Sequence, residues 1–198
     1  MLSPDFFAAK FRGALPYDRY VATAKPNERT NWDASHARIQ LPDATVRLVA
    51  SFERRVNVLV LSGTWCGDCV HQCPMFDHIA AAKPADRNST DAPGIDLRFL
   101  DRDQNRDLAD HVTICGGHRV PTVLFLNEEF DFVAILGDRT LSRYRALAAR
   151  QLGAACPLPG APLPPDEIAA TLQDWVNEFE RVALLLRLSP KLRSKHAD

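Results

Sequence analysis

The chain has 198 residues, of which 46% are hydrophobic and 25% charged, and its formal net charge is −1. This length allows one well-buried core with extra elements and is short for two full domains. The near-neutral charge gives no electrostatic basis for binding nucleic acid or an anionic membrane surface. No apolar run approaches the roughly 20 residues that a bilayer-spanning helix needs.

Cysteine content and the first residues bear on the compartment. The start lacks the basic, apolar and small-residue regions of a secretory signal, so we expect a cytoplasmic protein. The chain has five cysteines, an odd number, and it is too large to need a disulfide framework. In a reducing compartment, a close cysteine pair is more often catalytic or metal-binding than structural.

Residues 1–54 are interpreted as a helical N-terminal extension packed on the main core. Breaker residues separate three predicted helices, at residues 6–11, 32–39 and 44–52. Asp43 precedes the third of these and is predicted to be its N-cap.

Residues 55–153 are predicted to form an α/β domain with a mixed sheet. Residues 56–61 are an almost continuous apolar run, typical of a strand covered on both faces. The element order is β-α-β-α-β-β-α. The other predicted strands are 96–100, 121–126 and 132–136, the last two an antiparallel pair, and the predicted helices are 66–82, 107–112 and 141–152.

Residues 154–198 are predicted to be a proline-rich connector followed by an amphipathic helix. Residues 156–165 contain five prolines, which indicates an extended connector. Apolar residues then recur at helical spacing from Ile168 to Leu186, including Trp175 and Phe179. We expect this helix to pack on the core, with docking into a partner as the alternative. The basic residues 191–195 are interpreted as a solvated end.

Cys66 and Cys69 form the strongest chemical signal in the chain. They open a predicted helix directly after a buried strand, where unpaired N–H groups and the helix dipole stabilise a thiolate. Such a position lowers a cysteine pKa from about 8.5 into a range of roughly 3.5 to 7.5. Cys66 could then attack a disulfide, and Cys69 could resolve the mixed disulfide. Gly67 would let a substrate backbone approach closely.

Several residues around this pair resemble the active-site segment of the thioredoxin family. The resemblance covers about residues 56–152, and it implies a thioredoxin-like mixed β-sheet flanked by helices, with helices added at both ends. It also implies that Val120 and Pro121 form a cis peptide facing the redox pair, and that Trp65 and Pro121 shape the substrate groove. The residues that carry the resemblance are Trp65, Cys66, Cys69, Pro74, Val120, Pro121, Thr122 and Gly137.

Two positions depart from the family pattern. Asp68 stands where the family usually has proline, and its carboxylate is predicted to raise the pKa of Cys66 and favour a reductant. A second interpretation is that Asp68 simply stabilises the first helical turn. Val60 occupies the place of the family's buried acid, so deprotonation of Cys69 must rely on water or another group such as Asp68.

Other cysteines and histidines are accessory candidates. Cys73 is interpreted as a small buried residue or a third redox thiol. Cys115 and His118 lie in the loop before Pro121, where they could reach the rim of the site. Cys156 is expected to be inert. A zinc or iron–sulfur site is a weaker alternative because no second ligand pair follows, and its ligands would come from Cys66, Cys69, Cys73, His71, His78 and His118.

The sequence therefore predicts a thiol–disulfide oxidoreductase that reduces protein disulfides. Cys66 would be the nucleophile and Cys69 the resolving thiol, with no metal and no cofactor beyond their own disulfide. The expected partners are protein disulfides and an unidentified electron donor, with no nucleic acid or membrane, and the chain is expected to be a monomer or weak homodimer. The alternative is a thioredoxin-fold interaction module in which the redox pair is vestigial or regulatory.

Overall fold

A computed structural model describes residues 2–86, 89, 92–152 and 166–196. Its helices and strands follow the predicted order through the central part of the chain. In chain order they are α1 (Pro4–Gly13), α2 (Tyr17–Val21), α3 (Pro26–His36), α4 (Asp43–Ala50), β1 (Arg55–Ser62), α5 (Gly67–Ala82), β2 (Gly94–Asp101), α6 (Arg106–Ala109), β3 (Thr122–Leu126), β4 (Phe132–Gly137), α7 (Leu141–Leu152), α8 (Glu167–Leu188) and α9 (Pro190–His196).

The four strands form one mixed sheet in the order β2-β1-β3-β4. β1 runs parallel to β2 and antiparallel to β3, and β3 pairs antiparallel with β4. Every residue of β1 is buried, because this strand has a neighbour on each side and helices over its faces. The predicted fold class, a thioredoxin-like mixed sheet flanked by helices with additional terminal helices, is confirmed.

A single apolar cluster joins the terminal helices to the sheet. It includes Trp32 from α3, Phe76 from α5, Phe99 from β2 and Trp175 from α8. Trp32 and Trp175 are both fully buried. Burying an aromatic side chain of this size stabilises the folded state by about 1.5–3 kcal/mol, so both ends of the chain contribute to the core.

The helices of the first 54 residues differ in detail from those predicted. α2 was not predicted, and α3 begins at Pro26 and ends at His36, earlier than the segment 32–39. Pro26 suits a first helical turn, and the Glu28 carboxylate accepts a hydrogen bond from the Lys25 N–H at 3.3 Å. Asp43 is the first residue of α4 rather than its N-cap, which is Pro42.

The charged side chains of the C-terminal basic segment are exposed, as expected for a solvated end, but the segment also forms a helix, which was not predicted. α9 buries Leu192, which is 3% exposed. Lys191 Nζ lies 3.1 Å from an Asp131 carboxylate oxygen, and Lys195 Nζ lies 2.5 Å from one of Glu129. These contacts attach α9 to the turn between β3 and β4.

α8 packs against α5 and α7 through the apolar face that its spacing predicted. Its N-cap Asp166 accepts hydrogen bonds from the N–H groups of Ile168 and Ala169 at 2.9 and 3.0 Å. None of the described helices is long and apolar enough to cross a membrane. The proline-rich connector and Cys156 lie outside the described residues.

Candidate active site

Cys66 and Cys69 lie at the start of α5, one turn apart. Cys66 is the N-cap residue, and its N–H donates a hydrogen bond to the Gly63 carbonyl at 3.0 Å in the short loop after β1. Cys66 is partly buried, whereas Cys69 is fully buried. The first cysteine can therefore meet a substrate, and the second lies beneath it.

The loop before β3 closes over the Cys66 thiol. The Val120–Pro121 peptide is cis, and the Cys66 thiol lies 3.6 Å from the Val120 carbonyl oxygen, to which it donates. Gly137 at the end of β4 permits this loop to approach, since a Cβ there would lie 2.5 Å from the Pro121 carbonyl oxygen. A proline-containing loop thus faces the redox pair, where the resemblance placed it.

The surface beside Cys66 has an exposed tryptophan side chain on one side and free space on the other. Trp65 is 52% exposed, and the Arg102 guanidinium carbon lies 4.8 Å from the centre of its ring. A Cβ added to Gly67 would meet no atom within 4 Å. An approaching polypeptide would therefore find a flat aromatic surface before Cys66 and free space after it.

The pKa of each thiol in the pair is raised in the reduced protein. A hydrogen bond with Cys69 and then burial raise the pKa of Cys66, and together they outweigh the backbone N–H groups of Asp68 and Cys69. Complete burial raises the pKa of Cys69 well above its usual range. The sequence predicted a lowering effect of the helix N-terminus and a raising effect of the Asp68 carboxylate, whereas the rise in the pKa of Cys66 comes from the neighbouring thiol and burial.

The Asp68 carboxylate is paired with two arginines. One of its oxygens accepts from Arg139 Nε and Nη2 at 2.9 and 2.5 Å, and the other accepts from Arg143 Nε at 3.1 Å. Arg143 also pairs with Glu167 on α8. The negative charge of Asp68 is thus compensated by two arginines, which weakens the repulsion of the Cys66 thiolate that the sequence predicted.

A third thiol and a hydroxyl lie on the interior side of Cys69. Ser62 Oγ and Cys73 Sγ are 3.8 Å apart, and both residues are fully buried. Hydrogen bonds from Cys66 and Ser62 lower the pKa of Cys69, while the one with Cys73 raises it, all within the larger effect of burial. Val60 is buried as well, so Ser62 and Cys73 are the polar groups next to the resolving thiol.

A comparison with known sequence families identifies the family of this chain. A sequence profile described as thioredoxin matches residues 14–142, well over half of the chain. The chain belongs to the thioredoxin family. No curated protein matches it.

Two solved structures share the fold of this thioredoxin-family protein. A Pseudomonas aeruginosa protein of unknown function superposes with a TM-score of 0.67 at 19% identity, over 92% of this chain and 97% of the other. An HIV epitope scaffold superposes with a TM-score of 0.57 at 20% identity, over 89% of this chain and 92% of the other. At these identities the likeness concerns the fold alone.

Of the accessory candidates in this thioredoxin-family chain, Cys73 lies beside Cys69, and Cys115 and His118 lie in the loop before Pro121. Cys115 is exposed in its loop, with a φ of 50°. His118 bridges Asp110, at 2.7 Å from its Nε2, and Arg106, at 2.9 Å from its Nδ1. Within the described residues, no group of three or more histidines, cysteines or carboxylates is arranged to hold a metal ion.

The arginines around Asp68 were not identified from the sequence. Arg139 precedes α7, and Arg143 lies four residues later in the first turn of that helix. Arg139 also donates to Asp138 at 2.9 Å, as does Arg119 at 3.1 Å. That spacing was the available signal, but it does not reveal which acid the two arginines bind.

Proposed function

We propose that the protein is a thiol–disulfide oxidoreductase that reduces protein disulfides through Cys66 and Cys69. The observation that carries the proposal is the placement of the Cys66 thiol between the cis-proline loop and the buried Cys69. A substrate disulfide can reach the first sulfur but not the second. Since the cysteines supply the chemistry themselves, the proposal includes no cofactor.

The reaction consists of two thiol–disulfide exchanges. The Cys66 thiolate attacks one substrate sulfur, a mixed disulfide forms, and the other substrate sulfur leaves as a thiolate that takes up a proton. The Cys69 thiol loses its proton and attacks the Cys66 sulfur, which releases the second substrate thiol and leaves a Cys66–Cys69 disulfide. Two electrons have passed to the substrate, and a dithiol electron donor must return them.

The raised thiol pKa values support a reductant rather than an oxidant. Strongly oxidising members of this class of protein stabilise the thiolate and hence the reduced form. In this chain, the thiol hydrogen bond and burial work against the Cys66 thiolate. A reductant of protein disulfides also fits the cytoplasmic location that we propose.

An insulin-reduction assay tests the proposal. We expect the wild-type protein, supplied with dithiothreitol, to accelerate insulin precipitation, and both Cys66→Ser and Cys69→Ser to fall to the uncatalysed rate. Cys115→Ser is the matched control and should retain wild-type activity, because Cys115 is exposed in a peripheral loop. Undiminished activity in Cys66→Ser would refute the assignment of the nucleophile.

A second candidate function is that of an interaction module with a regulatory redox pair. It is favoured by an apolar surface on α8, where Leu184, Leu185 and Leu188 are 53%, 41% and 70% exposed. Isolated exposed leucines are common, but three within five residues are typical of a contact surface. A wild-type protein with no more insulin-reducing activity than Cys66→Ser would favour this alternative.

A further inference from the structure

A surface groove of about 400 Å³ begins beside Cys66 and runs along α3. Trp65 and Gly67, the two neighbours of Cys66, both line it, and Arg143 lines it from α7. We call it the α3 groove. Its position means that a substrate disulfide held at Cys66 would place the adjoining polypeptide in or next to this groove.

One wall of the α3 groove presents hydrogen-bond donors with no partner. Asn31 and Ser35 lie one turn apart on α3, and Arg38 follows two residues after the end of this helix. Within the described residues, none of the three side chains makes a hydrogen bond or an ion pair. By contrast, Glu28, which lines the same wall, has a hydrogen-bond partner, because its carboxylate accepts from the Thr64 hydroxyl at 2.8 Å.

Of the charged residues that line the α3 groove, Glu28 is held by the Thr64 hydroxyl and the Lys25 N–H, and the two arginines are cations. Arg143 is shared between Asp68 and Glu167, whereas Arg38 is exposed and unpaired. Burial and then the charge of Arg143 lower the pKa of His71, which disfavours its cationic form. Arg38 is therefore the cation with which a ligand in the groove can pair.

We propose that the α3 groove binds the segment of a substrate protein that adjoins its disulfide, and that Arg38 selects an acidic side chain there. The inference rests on the proposed function and specifies its substrate class. Asn31 and Ser35 would donate hydrogen bonds to the backbone of the same segment. Because the groove lies outside the thiol chemistry, Arg38 governs substrate choice and not the exchange steps.

Disulfide-containing peptides that differ at one position test this inference. Three peptides would carry Glu, Gln or Lys three residues from the reacting cysteine, and the kcat/KM for reduction of each would be measured. We expect the wild type to favour the Glu peptide over the Lys peptide by about fivefold, the scale of one exposed charge pair. Arg38→Glu should reverse that preference.

Arg29→Glu is the matched control for Arg38→Glu. Arg29 is an exposed arginine of α3, the helix that ends two residues before Arg38; it pairs with Asp33 and does not line the groove. This variant makes the same change of charge and should keep the wild-type preference. An unchanged preference in Arg38→Glu, or an equal loss of preference in both variants, would overturn the inference.

The Gln peptide separates this inference from the proposed function. If the wild type reduces the Gln peptide faster than Cys66→Ser does, the redox activity stands whatever the charge preference. If the two proteins do not differ on any peptide, the proposed function itself fails. The two failures are therefore distinguishable within one set of measurements.

Discussion

At the scale of single residues, Asp68 follows Cys66 by two positions and forms ion pairs with two arginines. Its carboxylate pairs with Arg139 and Arg143 and is only partly exposed to solvent. An amide at this position would keep nearly the same volume but remove one negative charge, with Arg139 still paired to Asp138 and Arg143 to Glu167. The cluster would become more positive by one charge, and positive charge near a thiol favours the thiolate, so we expect the ionisation of Cys66 to depend on this carboxylate.

Asp68→Asn should therefore lower the pKa of Cys66. A decrease of one pH unit, which corresponds to about 1.4 kcal/mol, would raise the thiolate fraction about tenfold below the pKa. The rate of iodoacetamide labelling at Cys66, followed by mass spectrometry from pH 7 to 10, measures this directly. Labelling of the exposed Cys115 in the same molecules provides an internal reference.

Glu178→Gln is the control for Asp68→Asn, because it removes the same charge from an ion pair with Arg181 on α8. It should leave the labelling profile of Cys66 unchanged. A profile of Asp68→Asn that coincides with the wild type, or moves to higher pH, would contradict this account of the arginine pair.

At the scale of elements, a buried hydrogen-bond chain joins α8 to the redox helix. The Trp175 indole N–H donates to Gln72 Oε1 at 3.0 Å, and Gln72 Nε2 donates to the Asp138 carbonyl at 2.9 Å. The ring centres of Trp175 and Phe76 are 4.4 Å apart in an edge-to-face arrangement. α5, α8 and the end of β4 are thus connected through a fully buried glutamine.

Trp175→Phe should lower the free energy of unfolding by roughly 1–3 kcal/mol, because it leaves the Gln72 oxygen buried without its donor. Urea unfolding followed by circular dichroism measures the change. Leu184→Ala alters an exposed residue of the same helix and should change stability by less than about 0.5 kcal/mol. Equal stability of the two variants would mean that the hydrogen bond does not contribute.

At the scale of the whole molecule, burial raises the pKa of several tyrosine and cysteine side chains. These side chains keep their protons in the folded protein at pH values at which the unfolded chain loses them. Burial is the largest cause of the raised pKa of Tyr17, Tyr20 and Cys69 and the second largest for Cys66. The unfolded chain loses these protons at about pH 8.5 to 10. Above that range the unfolded state binds fewer protons, so stability falls as the pH rises.

The reduced protein should therefore unfold at lower urea concentrations at pH 10 than at pH 7.5. Each affected group contributes about 1.4 kcal/mol per pH unit between its unfolded and folded pKa. Tyr20→Phe removes one buried titrating group with little loss of volume and should make the pH dependence shallower. Equal midpoints at both pH values would show that these groups are not protonated selectively in the folded state.

The central helices and strands could be predicted because their apolar residues follow a clear pattern along the chain. β1 is fully buried, and a continuous apolar run identifies such a strand without tertiary information. α3 and α9 were misplaced or missed because each buries essentially one residue, Trp32 or Leu192, and one apolar position has no periodicity.

For the site as well, the sequence identified the features that belong to local motifs and missed those that depend on the fold. Cys66, Cys69 and Pro121 belong to short local motifs, and the sequence identified them. The pairing of Asp68 with Arg139 joins residues 71 positions apart, and the raised pKa of Cys66 arises from side-chain contacts. Both depend on how side chains pack in three dimensions, which the spacing of residues along the chain does not reveal.

The contact of α3 with the loop before the redox pair limits how far the chain can be shortened from its N-terminus. The Trp32 indole N–H donates to the Thr64 carbonyl at 2.9 Å, while the Thr64 hydroxyl donates to Glu28. A shortened protein beginning at residue 55 would leave both groups of Thr64 without these partners, two residues from Cys66. The redox motif therefore depends on α3 for these hydrogen bonds, and a graft of the motif onto another scaffold would need α3 as well.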